Sequence, residues 1–165
     1  MKVLPVRSET DIARTAALAR TIWREHYTPI IGAEQVEYML DHFQSEQAIT
    51  EQIGKGTDYF LLKSGGRDAG YFALVPETHS VMLSKLYLES AFRKHGLAAE
   101  ALRFIEAYCR KRGAPRLWLT VNRHNDLAVA WYETMGFANT GPVVKAIGGG
   151  FVMDDYRMEK PVSAL

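Results

Sequence analysis

Apolar positions recur along the chain at two different spacings, and each change of spacing marks a change of element. A short apolar run at 3–6 predicts a first strand. Ile12, Ala16, Ala19 and Trp23 then follow at intervals of three and four residues, which predicts a helix over about 11–25 with one buried face. The segment 8–11 before it carries N-cap chemistry, because a Ser or Asp oxygen accepts from the open N–H groups of a first helical turn. Pro29 and Gly32 punctuate the chain. Helices are expected over 33–43 and 46–53, the second closed by Gly54 and Gly56.

Beyond residue 58 the pattern becomes that of strands. Segments 59–62 and 71–75 flank Ser64-Gly65-Gly66-Arg67-Asp68 and read as a hairpin, with a third strand over 81–88. Gly96 precedes a helix over 97–112 that carries Leu97, Ala101, Ile105 and Tyr108 on one face. Gly113 and Pro115 stop it. A strand over 117–121 leads to Asn125, which caps a helix over 126–135. Strands over 137–147 and 151–159 close the chain, with Gly148, Gly149 and Gly150 as the turn between them. The order β-α-α-α-β-β-β-α-β-α-β-β is an α/β layout. No repeat or linker interrupts it, so one domain over 1–165 is the expectation.

Composition narrows the function classes. The 165 residues include 20 basic and 19 acidic side chains, a net charge of +1, so nothing points to a nucleic-acid or membrane-surface partner. A single cysteine, Cys109, forbids an internal disulfide and suits a reducing compartment. No stretch has the apolar length of a signal peptide or membrane span. A cytoplasmic location is expected.

The richest chemistry lies where a strand gives way to a helix, at Leu86-Tyr87-Leu88-Glu89-Ser90-Ala91-Phe92-Arg93-Lys94-His95-Gly96-Leu97-Ala98. The open N–H groups of a helix start, with the positive end of its dipole, form an anion site. Gly96 and Ala98 are small enough for a diphosphate to approach, and Arg93, Lys94 and His95 surround it with donors. A plain strand-to-helix connection with solvated basic residues is the alternative. The spacings of a P-loop and of a dinucleotide-binding turn are both absent.

These residues resemble the GNAT superfamily of N-acetyltransferases. Arg93 to Ala98 is similar to that family's [QR]-x-x-G-x-[GA] signature, which implies a site for the pyrophosphate of acetyl-CoA formed by Arg93, Lys94, His95, Gly96, Leu97 and Ala98. Leu86-Tyr87-Leu88 resembles the strand whose backbone pairs with the pantetheine arm, which implies cofactor contacts at Leu86 and Leu88. A second segment is similar to the family's N-x-x-A-x-x-x-Y-x-x-x-G-F pattern through Asn125, Ala128, Tyr132, Gly136 and Phe137. The stretch 153–160 resembles the family's closing strand. The resemblance covers roughly 59–160, whereas the helices before Asp58 match only in layout. It implies a mixed, mostly antiparallel twisted sheet of about six to seven strands flanked by helices, with acetyl-CoA as co-substrate and no metal.

Asn125 and Tyr132 lie seven residues apart, about two helical turns, and so share a helix face. The resemblance implies that Asn125 contacts the cofactor and that Tyr132 is the general acid. A phenol, with an ordinary pKa near 10, can protonate a departing thiolate. A core aromatic with a satisfied hydroxyl is the alternative for Tyr132. The resemblance implies an acceptor groove near the end of the first helix, where Glu25 is the candidate base beside His26 and where Trp23, Tyr27, Tyr38 and Met39 are candidate groove residues. Core packing or a solvated helix end is the alternative for each of these residues, and a base acting through water is also open. The five histidines, at 26, 42, 79, 95 and 124, show no metal-ligand spacing. Ser84 has no triad partners, and Cys109 is assigned to the core. The phrase 90–96 is similar to bacterial spermidine acetyltransferases, which implies a small-molecule amine acceptor such as a polyamine. A protein N-terminus or lysine, and a non-catalytic CoA-binding domain, are the rival readings. A homodimer is open.

Overall fold

The computed structural model describes residues 1–163. After β1 (Lys2–Pro5), a capping box starts the first helix. The Ser8 hydroxyl accepts from the Asp11 N–H at 3.1 Å, and the Asp11 carboxylate accepts from the Ser8 N–H at 3.3 Å. Two donors of the first turn are thereby satisfied, and α1 spans Glu9–His26, two residues earlier than the periodicity alone predicts. Pro29 does more than interrupt the chain. It sits in the first turn of an additional short helix, α2 (Thr28–Ile31), where its missing N–H would have had no helical partner. Helices α3 (Ala33–Phe43) and α4 (Glu46–Gly54) follow, the latter capped by Ser45.

The remaining elements are β2 (Asp58–Ser64), β3 (Arg67–Pro76), β4 (Ser80–Leu88), a 3-10 turn at Ser90–Phe92, α5 (Leu97–Lys111), β5 (Arg116–Asn122), α6 (Asp126–Thr134), β6 (Ala138–Gly148) and β7 (Phe151–Pro161). The strands form one seven-stranded sheet in the order β1-β2-β3-β4-β5-β7-β6. β4 and β5 are parallel, whereas β1–β2, β2–β3, β5–β7 and β6–β7 are antiparallel. The sheet is therefore mixed and mostly antiparallel, as expected. The parallel pairing covers Ser80–Met82 and Arg116–Trp118, and β4 continues beyond it to Leu88.

The chain resolves into two compact units. The first holds Met1–Val75 and Lys85–Ala101, the second Pro76–Ser84 and the described residues from Leu102 onward. In the first unit the apolar face of α1, with Ala16, Ala19 and Ile22, is buried, as are Ile49, Leu61, Tyr71 and Phe72. In the second, Ile105 and Cys109 of α5 are buried, as are Leu117, Leu119 and Met158 of the strands. Cys109 is thus a core residue, and burial pushes its thiol up to about 11.

Candidate active site

Within the first unit, the end of β4 and the start of α5 are held by specific contacts. β3 approaches β4 so closely at Gly70 that an added Cβ would lie 2.2 Å from the Tyr87 carbonyl oxygen and 2.8 Å from Leu88 Cδ2. No larger residue fits there. The Glu89 N–H continues this link by donating to the Ala69 carbonyl at 2.9 Å. Leu88 is buried and Leu86 half-buried. From the loop beyond, Arg93 Nε reaches back to donate to the Leu88 carbonyl at 3.0 Å, and Arg67 of β3 lies over the Phe92 ring at 5.0 Å. Lys94 adopts a left-handed φ of 65° and Gly96 one of 77°.

The Gly96 carbonyl accepts the first α5 bond, from the Glu100 N–H at 3.1 Å. The N–H groups of residues 97–99 therefore belong to an open first turn. Nothing lies within 4 Å of a Cβ built on Gly96. Lys94, His95 and Gly96 are exposed, Ala98 is half-buried and Leu97 is buried. An open glycine, a 15-residue helix start and flanking cations fit the demands of a pyrophosphate.

In the second unit, β5 runs into α6 through the turn 123–125. Asn125 is 5% exposed. It occupies the N-cap position, but its side chain makes no capping bond to the helix, which corrects the sequence expectation. Its backbone does the work instead, the N–H donating to the Asn122 carbonyl at 3.0 Å and its own carbonyl accepting from Val129 at 3.0 Å. Tyr132 is 8% exposed and packs edge-on to Phe137, with ring centroids 5.3 Å apart. The Phe137 N–H donates to the Tyr132 carbonyl at 3.0 Å, which fastens the end of α6 to the chain that follows.

Glu25 is exposed on α1, next to Arg24, whose guanidinium pairs with Glu37 at 2.8 Å. Trp23 and Tyr27 are buried and stacked on each other at 4.3 Å. Tyr87 of β4, a residue sequence reasoning did not single out, joins them edge-on at 5.4 Å from Trp23 and 6.0 Å from Tyr27. Met39 is buried, whereas Tyr38 is half-buried and stacks on His42 at 3.9 Å.

Two buried ionisable groups carried no signal in the sequence. Lys85 of β4 is 6% exposed. Its ammonium donates to the Phe43 carbonyl at 2.8 Å, to Gln52 Oε1 at 2.9 Å and to the Tyr59 hydroxyl. Burial lowers it to about 7. Asp155 of β7 is 5% exposed, and burial raises its carboxyl to about 6. Alternation would have placed each on a strand face, but only the neighbours on that face decide whether it is solvated. Among the described residues no group of three or more His, Cys, Asp or Glu side chains could hold a metal ion, and no helix is long and apolar enough to cross a membrane.

Residues 17–137 match the family model described as Acetyltransferase (GNAT) family. An uncharacterised N-acetyltransferase of Mycobacterium tuberculosis is 30% identical over 134 residues, which cover 80% of this chain and 86% of the relative. The [ribosomal protein bS18]-alanine N-acetyltransferase of Escherichia coli is 27% identical over 111 residues, covering 67% of this chain and 75% of the relative. Among solved structures, the PaiA N-acetyltransferase from Thermoplasma acidophilum in complex with coenzyme A superposes with a TM-score of 0.80 at 21% identity. That match covers 98% of this chain and 99% of the other.

Proposed function

The chain belongs to the GNAT acetyltransferase family and is an acetyl-CoA-dependent N-acetyltransferase, and on that premise we propose that its acceptor is a small primary amine, a polyamine first among them. The pyrophosphate of acetyl-CoA binds at Arg93, Lys94, His95, Gly96, Leu97 and Ala98. The observation that carries this is the open first turn of α5 behind a left-handed glycine with empty space above it. Leu86 and Leu88 offer backbone groups to the pantetheine arm. The Leu88 N–H polarises the thioester carbonyl, a donor aimed at developing charge. Asn125, a buried polar residue at the start of α6, contacts the co-substrate.

Transfer is direct. The amine nitrogen bonds to the acetyl carbon as the carbon–sulfur bond breaks, and the Tyr132 hydroxyl protonates the departing sulfur. Glu25, exposed on α1, is the base candidate offered by the sequence, with a base acting through water as the alternative. A polyamine acceptor is supported by the likeness of 90–96 to spermidine acetyltransferases and by exposed carboxylates at Glu25, Glu34 and Asp41, which favour a polycation. The relative that acts on a ribosomal-protein alanine supports a second reading, a protein N-terminus. Turnover of acetyl-CoA with spermidine, an alanine-terminated peptide and a lysine peptide separates them. Spermidine should give the highest kcat/KM, and preference for the alanine peptide would overturn the polyamine reading.

A further inference from the structure

β3 begins at Arg67, which pairs with Ser64 across a tight turn. The first residues of β3 lie along the end of β4, because the Ala69 carbonyl accepts from the Glu89 N–H at 2.9 Å. Arg67 is thereby carried to the loop that follows β4. That loop is itself set: the Phe92 N–H donates to the Glu89 carbonyl at 2.9 Å, and the Arg93 N–H donates to the Ser90 carbonyl at 3.2 Å. Phe92 is half-buried, and the Arg67 guanidinium lies over its ring at 5.0 Å. The ring quadrupole attracts a cation placed there, and a guanidinium so held keeps its N–H donors for other partners.

Those donors are not used within the chain. Arg67 is exposed, and among the described residues its side chain makes no hydrogen bond and no ion pair. The adjacent carboxylate, Asp68, is taken by others. Arg14 Nε donates to it at 2.9 Å, and Lys63 Nζ lies 3.9 Å away. Arg93, by contrast, commits its Nε to the Leu88 carbonyl. An exposed arginine is ordinarily a solvated charge. Arg67 differs in that a ring holds it in one place, and that place is the loop running into Arg93–Ala98.

Acetyl-CoA carries two kinds of anion. Its pyrophosphate is met by the open N–H groups of residues 97–99, with Lys94 and His95 beside them. The other is a phosphomonoester on the ribose 3′ carbon, held away from the pyrophosphate by the sugar. It bears about −1.5 to −2 charge near neutral pH. Arg67 comes from a different strand and meets the loop at Phe92, ahead of the residues that take the pyrophosphate. A guanidinium matches a phosphate through paired N–H···O bonds. We propose that Arg67 is a further binding residue for acetyl-CoA, takes the ribose 3′-phosphate and so selects the phosphorylated cofactor over its dephospho form. This rests on the acetyl-CoA site proposed above.

The test is calorimetry with acetyl-CoA and with 3′-dephospho-acetyl-CoA. The wild type should bind acetyl-CoA about tenfold more tightly. Arg67→Ala should lose that tenfold for acetyl-CoA and bind the dephospho form as the wild type does. Arg67→Gln, which keeps part of the stem over Phe92, should give the same pattern, and it decides the matter should the alanine variant not fold. A variant that weakens both ligands alike overturns the proposal, since Arg67 then braces the loop or meets the pyrophosphate. A variant that weakens neither overturns it too, as does a wild type with no preference. Gly96→Glu, which blocks the pyrophosphate, should weaken both ligands alike. If it does not, the helix-start site fails, whereas Arg67 stands or falls on the difference between the two ligands.

Discussion

Arg93 Nε donates to the carbonyl oxygen of Leu88 at 3.0 Å, tying the loop back onto the strand that precedes it. The bond spans five residues and closes the turn between β4 and α5, so the loop's cations are presented from a fixed frame. Arg93→Ala removes both the brace and a charge. Acetyl-CoA affinity measured by calorimetry should fall about tenfold, the scale of one charge-assisted hydrogen bond. Arg93→Lys should recover little, because an ammonium lacks the fork that can hold a carbonyl and a phosphate together.

Gly96 offers a cleaner test of the anion site. Its φ of 77° disfavours any side chain with a Cβ, while the space around it is open. Gly96→Asn, which tolerates a left-handed φ, should fold with a modest drop in Tm and lose part of the affinity. Gly96→Glu adds a negative charge and should weaken acetyl-CoA binding about 100-fold or more. Equal affinities for the two variants in a folded protein would remove the helix start from the site.

Tyr132→Phe keeps the ring against Phe137 and removes only the hydroxyl. As the acid, Tyr132 should be missed in kcat, by about ten- to a thousandfold, with acetyl-CoA affinity retained. The loss should shrink at low pH, where solvent protonates the thiolate. A packing role predicts a cost of roughly 1 kcal/mol in stability and a nearly normal kcat. Kinetics and melting curves on the two proteins distinguish these outcomes.

Lys85 links protonation to stability. Folded, its ammonium is held at about 7 against an ordinary 10.5, and it donates to Phe43 O, Gln52 and the Tyr59 hydroxyl. Between those values the unfolded chain binds more protons than the folded one, so stability should rise with pH across that window. Below pH 7 both states hold the proton and the contribution is flat. Burial raises the Tyr59 phenol, so ionisation of the unfolded tyrosine near pH 10 reverses the trend. Tm measured from pH 6.5 to 9.5 should climb by several degrees in the wild type, and Lys85→Met should flatten the climb.

The sequence by itself determined the order of the long elements, all but the short α2 and the 3-10 turn at Ser90–Phe92, and it did so through spacing and caps. Ile12 to Trp23 encode one face of α1, and Gly96 through Pro115 bound α5, because helix periodicity and terminal chemistry are local properties of the chain. The motif residues from Arg93 to Ala98 and from Asn125 to Phe137 were legible for the same reason. Their chemistry is written in residue type at fixed offsets.

Tertiary structure decided what depends on partners distant in sequence. Ser8 and Asp11 both looked like caps, and their reciprocal bonds placed the start of α1. Asn125 looked like a side-chain cap, yet its backbone alone makes the helix-start bonds. Gly70 falls between the predicted turn and the predicted strand at 71–75, and only the approach of β4 shows why it has no Cβ. Lys85 and Asp155 carry no signal in the sequence beyond their places in two predicted strands. Their burial comes from packing against groups tens of residues away, and a charge takes its pKa from whatever surrounds it in space rather than in sequence.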